Sequence, residues 1–269
     1  MTYIIAEVGV NHQGDPAIAR DYVEALKDIG ADAAKFQLFD HHQFPKSEQK
    51  MLKKLELKTQ GMLDLKEMCD DLGIDFICTP FDVRALRWLA DLEPKMKYIK
   101  IGSGMLHDDR LLEAARKCKI PIILSTGMAT INEITTAVYQ CSPNVIMHCV
   151  SAYPTQPEDI MLGAIPKFVK VYHGRDIGLS DHSMSTVIPA AAVVMGATFI
   201  EKHVTFDRDW EGPDHHMSIT MVEFREMVDG IRDVEKAISG DVPVYNRPAC
   251  EDPVKEIIKE REVHMKTVV

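Results

Sequence analysis

Eight short apolar runs, each followed by a stretch with helical spacing, recur along the 269 residues and constrain the fold more than any other feature. They read TYIIAEVG, ADAAKFQLF, IDFICTP, MKYIKIGS, IPIILSTG, NVIMHCVS, DIGLSD and ATFIEKHV. The stretches between them, such as 18–29, 61–72, 83–92 and 111–117, place apolar residues on one helical face and often end at Gly or Pro. Strand followed by helix, repeated in this way, predicts an all-parallel sheet, because parallel neighbours need a long crossover. Eight such units close into a TIM (β/α)8 barrel, an α/β fold whose typical size is about 250 residues. A single barrel domain is therefore expected over 1–240. A Pro-rich, charged tail over 241–269, with a short helix near 253–262, is too short for a second domain.

Parallel strands are buried on both faces, and these runs are accordingly apolar almost throughout, yet each ends on polar residues. Such endings are costly in a core and cheap at an open rim. The set is Glu7; Lys35 with Gln37; Thr79; Lys100 with Ser103; Ser125; His148 with Ser151; Ser180 with His182; and Lys202 with His203. The carboxyl-terminal rim of such a barrel carries the chemistry, because the ends of different strands converge there.

Two chemistries suit that set. Neutral imidazoles bind divalent transition metals, and His182 and His203, at the ends of adjacent strands, leave positions open for substrate oxygen. His148 reads equally well as a packed residue bonded to a backbone carbonyl. Lys35 and Lys100, beside the hydroxyls of Thr79, Ser103, Ser125 and Ser180 and the flexible Gly102, Gly104 and Gly127, form an anion site suited to phosphate. A helix cap is the plain alternative for any single hydroxyl, and a lysine here could instead form a Schiff base with a carbonyl substrate. Glu7 requires a cation, a metal or a hydroxyl-rich ligand; a salt bridge to a rim lysine is the simplest choice. Asp214, in the turn EGPDHHMS, and Tyr153, restricted by the following proline, face the same rim.

Composition narrows the partners. A formal charge of −10 repels nucleic acid and anionic membranes, and the stretch 50–58 reads as an amphipathic helix with a solvated cationic face. Cysteines at 69, 78, 118, 141, 149 and 250 form no CxxC pair, which favours free thiols in the cytoplasm. No leader and no membrane-length apolar run is expected.

Ten motifs in order, IAEVGVNHQGD, DAAKFQLF, KMLKKLEL, FICTPFD, YIKIGSG, ILSTGMA, MHCVSAYPT, IGLSDHS, IEKHVTFDR and GPDHHMS, resemble the sialic acid synthases and their legionaminate, pseudaminate and spore-coat relatives. The resemblance spans about residues 3 to 240. It implies condensation of phosphoenolpyruvate with an open-chain N-acylated amino sugar aldehyde, giving a 3-deoxy-2-ulosonic acid and phosphate. It further implies a divalent metal, usually Mn with Mg as the substitute, on His182 and His203. Phosphoenolpyruvate maps onto Lys35, Thr79, Lys100, Ser103, Ser125, Ser151 and Ser180. The sugar maps onto Glu7, Gln37, Tyr153 and Asp214. Glu7, Lys35, Lys100 and His203 are the expected catalytic set.

The chain departs from that family's pattern at Ser151, where the relatives usually carry Asn, and at Met105, where they carry an acid. The family's C-terminal antifreeze-like domain, which supplies an arginine to a partner's sugar pocket, is expected to be absent. A separate small protein could replace it, and the outer helices leave room for a homo-oligomer. A Schiff-base aldolase on Lys35, Lys100 or Lys202, and a barrel that serves as a non-catalytic subunit, are the competing expectations.

Overall fold

The computed structural model describes residues 1–92, 94–239 and 248–267, with side chains described to residue 261. Eight strands close a parallel barrel in chain order: β1 (Tyr3–Gly9), β2 (Ala33–Leu38), β3 (Asp75–Pro80), β4 (Ile99–Ile101), β5 (Ile122–Ser125), β6 (Val145–Cys149), β7 (Asp176–Asp181) and β8 (Phe199–Thr205). Closure is the pairing of β1 with β8, which sets Ile5 opposite Glu201 and Glu7 opposite His203. A two-residue strand, β9 (Ile219–Thr220), adds to the end of β8 and was not anticipated.

The helices follow the expected alternation: α1 (Pro16–Ile29), α2 (Lys46–Leu55), α3 (Thr59–Leu72), α4 (Val83–Ala90), α5 (Asp109–Lys117), α6 (Ile131–Cys141), α7 (Ala164–Val171), α8 (Ile188–Val194) and α9 (Met221–Ile238). Their starts are chemically marked. Asp15, Asp82 and Asp108 each accept a backbone N–H of the first turn, and Thr130 with Glu133 forms a capping box on α6. The helix expected over 50–58 begins and ends earlier, at α2. Pro45 sets its start, and Glu56 already has extended backbone.

Strand alternation divides the side chains into two cores. Ile4, Ala6, Phe36, Cys78, Leu124, Ile146 and Ile200 point outward against the helices. Ile5, Ala33, Ile77, Ile123, Val145, Met147 and Phe199 fill the barrel interior. With a period of two, the next inward positions are Glu7, Lys35, Thr79, Ser125 and Glu201, with Cys149 on β6. The apolar interior layer thus serves as the base on which the polar layer stands.

The chain divides into two compact units, Met1–Glu235 and Lys236–Val269. The first is the barrel. The second contains α10 (Asp252–Thr267), longer than the helix expected in the tail. The expected boundary at 240–241 lies outside the described residues. No helix among the described residues is long and apolar enough to cross a membrane, and all six cysteines are free thiols.

Candidate active site

All thirteen residues expected at the site line one cavity of about 580 Å3 at the carboxyl mouth of the barrel. Its floor is a buried array of charges. Lys35 Nζ lies 3.0 Å from Glu7 Oε2 and 3.4 Å from Glu201 Oε1. Lys100 Nζ donates to both oxygens of Glu201, at 2.7 and 2.8 Å. Ser180 Oγ donates to Glu201 Oε1 at 3.0 Å, and Gln37 Nε2 donates to Glu7 Oε1 at 2.8 Å. Lys35 also reaches Thr79 Oγ1 at 3.4 Å.

Burial opposes every charge in this array, and the pairing decides the outcome. Lys100 and Lys35 outweigh burial and hold the Glu201 carboxyl well below the usual carboxylate range. Glu201 and Glu7 likewise outweigh burial at Lys35 and push its ammonium up. For Lys100, burial together with the neighbouring Lys35 wins and pushes the amine down.

Glu201 was missed in the sequence, and Lys202 was misplaced there. Lys202 does not face the cavity. Its Nζ donates to Asp181 Oδ2 at 2.6 Å and to the Ser183 and Ser185 carbonyls, on the side of β8 that faces the helices. Alternation forces this: with His203 inward, its neighbour points outward and Glu201 points inward. His148 is also turned away from the cavity, its Nε2 donating to the Ile160 carbonyl at 2.6 Å, which is the packed, carbonyl-bonded place expected for it.

Above the floor stand the two histidines, ring centroids 5.5 Å apart, with the Tyr153 ring 4.2 Å from that of His182. His182 Nδ1 lies 2.7 Å from the Val150 carbonyl, which can only accept, so this nitrogen carries the proton. Its Nε2 is then the nitrogen with a free lone pair. Buried His203 Nδ1 has no hydrogen-bond partner among the described residues, and Asp214 Oδ2 lies 3.9 Å from it. Burial, then His182 and Lys35, keep the His203 imidazole neutral by pushing its pKa far down. Burial also pushes Asp214 up to about 6, with Glu7 adding to the effect. Two imidazoles with available lone pairs beside a carboxylate are a donor set that fits a divalent transition metal.

Among the described residues, the group of three metal-type donors lying within 4.8 Å of one another is instead Asp40, His41 and His42, outside the cavity lining. Two of those donors are already engaged. Asp40 caps the turn that follows, and His41 Nδ1 pairs with Glu56 Oε2 at 2.7 Å.

On the remaining side, Ser103 Oγ accepts the Gly127 N–H at 3.0 Å, and buried Ser125 Oγ has no hydrogen-bond partner among the described residues. A Cβ on Gly127 would fall 2.3 Å from Ser151 Oγ, so the bare backbone is what admits these hydroxyls. Free hydroxyls and two ammonium groups on one floor make an anion cradle.

Fold and site together define a parallel (β/α)8 barrel with a buried lysine–glutamate floor and a histidine pair at its carboxyl mouth. The chain belongs to the NeuB family, whose model matches residues 22–242. It is 36% identical to an N,N'-diacetyllegionaminic acid synthase of Legionella pneumophila, over 88% of this chain and 73% of that protein. It is 33% identical to the human N-acetylneuraminate-9-phosphate synthase, over 93% and 74%. An uncharacterised protein of Methanocaldococcus jannaschii is 41% identical over 97% and 80%. A crystal structure of an N-acetylneuraminic acid synthetase from Leptospira borgpetersenii, with citrate, superposes with a TM-score of 0.85 at 34% identity, covering 97% of this chain and 91% of that one.

Proposed function

We propose that the protein condenses phosphoenolpyruvate with an N-acylated amino sugar aldehyde, releasing phosphate and a nonulosonic acid. The observation that carries this reading is the convergence of Lys35, Lys100 and the histidine pair on one cavity. Membership of the NeuB family supports it, as do relatives named as synthases of such acids.

Each role follows from what the side chain touches. Lys35 and Lys100, with the hydroxyls of Thr79, Ser103, Ser125, Ser151 and Ser180, hold the phosphate and carboxylate of phosphoenolpyruvate. Glu201 keeps both ammonium groups aimed at one point and its own charge balanced, so the floor is set before the anion arrives. Glu7, held by Gln37 and Lys35, orients the sugar or carries a proton at its carboxylate. Tyr153, Gln37 and Asp214 contact the sugar. His182 and His203 would hold a divalent ion, Mn in the first instance and Mg in the second. When bound, such an ion supplies Lewis-acid polarisation of the aldehyde oxygen. In the balanced reaction, C3 of phosphoenolpyruvate bonds to the aldehyde carbon and water adds its oxygen to C2, one proton of that water ending on the aldehyde oxygen, now a hydroxyl, and the other on phosphate as the C2–O bond to it breaks and leaves a ketone at C2.

Phosphate release from phosphoenolpyruvate, measured with Mn(II) and a panel of N-acylhexosamine aldehydes, tests the reading; no release with any of them overturns it. The lowered amine of Lys100 favours a second reading, a Schiff-base aldolase. Borohydride reduction in the presence of pyruvate separates the two. A labelled lysine establishes the aldolase, and an unlabelled chain that releases phosphate establishes the synthase.

A further inference from the structure

The cavity has two tiers of opposite chemistry. The floor carries the charges; the outer wall, built from the segments that follow β2, β3 and β4, is apolar. Phe39, Phe44 and Phe81 form a three-ring cluster with centroids 5.6 to 5.7 Å apart. Leu52 of α2 packs on that cluster, and Met105 extends the cavity wall beyond β4. Among the described residues lining the cavity, the lysines are Lys35 and Lys100, both on the floor, and the two histidines stand just above them. The outer wall adds one charge, Glu48 on exposed α2, and it is negative.

Resting on the condensation reading, we infer that the second substrate is an aldose whose end remote from the aldehyde is unphosphorylated and bears apolar substituents, an acyl methyl or a terminal methyl. The aldehyde must meet the anion held on the floor, so the far end of the chain reaches the outer wall. A terminal phosphate there would bring nearly two negative charges to a surface of phenyl rings and a carboxylate. The floor lysines stand on β2 and β4, held by Glu7 and Glu201 for the anion of the first substrate, and are not part of that wall. A methyl group on the same wall is removed from water against three aromatic rings, which is favourable without any polar partner.

Three matched aldoses test the inference at fixed phosphoenolpyruvate and Mn(II): an N-acylhexosamine, its 6-phosphate, and an N,N'-diacetylated 6-deoxy analogue. The expected order of kcat/KM is 6-deoxy analogue, then neutral sugar, then 6-phosphate, with roughly tenfold between successive members. Preference for the 6-phosphate overturns the inference and leaves the condensation intact. Phosphate release with none of the three overturns the condensation itself. Phe44→Ala is expected to narrow the gap between the 6-deoxy and neutral sugars. Because Phe44 also packs in the cluster, E48K on the exposed helix provides an independent arm, expected to raise the ratio of 6-phosphate to neutral turnover several-fold. An unchanged ratio in both variants counts against the wall as the selecting element.

Discussion

Glu201 and Lys202 are neighbours in sequence with opposite environments, and a pair of substitutions separates them. Lys202→Met leaves Asp181 as an uncompensated buried charge, expected to cost about 3–5 kcal/mol of stability. Its readout is a lower urea midpoint with an unmoved KM for phosphoenolpyruvate. Lys100→Ala is expected to do the reverse in kinetics, weakening phosphoenolpyruvate binding by about 1.5–3 kcal/mol while the sugar KM moves far less; equal losses for both substrates would assign Lys100 a structural role. At the histidines, either His182→Ala or His203→Ala should abolish metal-dependent phosphate release with the circular dichroism spectrum unchanged. Undiminished turnover in either variant would refute a metal at that pair. The missed glutamate shows what the sequence held at this scale. Polar endings located the rim, but only the period of two, counted back from His203, tells which of Glu201 and Lys202 faces in. Glu201 also sits inside an apolar run, where a carboxylate is expected only with cations buried beside it, and both of those cations come from other strands.

At the scale of elements, the order of eight strands was legible because hydrophobic run length and helical spacing survive without any tertiary information. Boundaries were less so. β4 shrinks to Ile99–Ile101 because Gly102 and the turn at Ser103 leave the ladder, and α2 is shifted toward Pro45. The placement of α2 depends on a contact far away in sequence. Gly14, in the loop after β1, has φ +74° and passes so close to α2 that a Cβ would fall 2.0 Å from the Lys54 carbonyl. That neighbour is backbone, so the helix itself must move in Gly14→Ala. Since α2 carries Leu52 and Glu48 into the outer wall while the floor rests on the strands, the variant should raise KM for the aldose more than KM for phosphoenolpyruvate. Limited proteolysis should also cut within 46–55 faster than in the parent. Loss of phosphoenolpyruvate affinity alone would contradict this division between floor and wall.

The stability of the whole molecule should fall on mild acidification, and one histidine gives the effect a measurable handle. His12 is buried behind β1, its ring against Phe36 and its Nδ1 accepting the Gly14 N–H at 2.9 Å, an arrangement that requires a neutral imidazole. Burial pushes its pKa down to about 4. In the unfolded chain the same group titrates near 6.5. Between those values the unfolded state binds a proton that the folded state refuses, so stability is fully present above about pH 6.5 and is lost as pH falls toward 4. The size of the loss is roughly 3 kcal/mol, from about 1.4 kcal/mol for each unit of pKa difference. His148 and His215, also pushed down by burial, act in the same direction. Asp214 acts in the opposite one, because its raised pKa of about 6 favours the folded state as it gains a proton. Comparing the parent with His12→Gln cancels these common contributions. The difference in unfolding free energy between the two, measured by urea titration from pH 7 to pH 4, should shrink by roughly 3 kcal/mol as the parent alone pays the protonation. A difference that stays level across that range would mean that His12 takes up its proton in the folded barrel as readily as in the unfolded chain, and that its bond from Gly14 is not the one described.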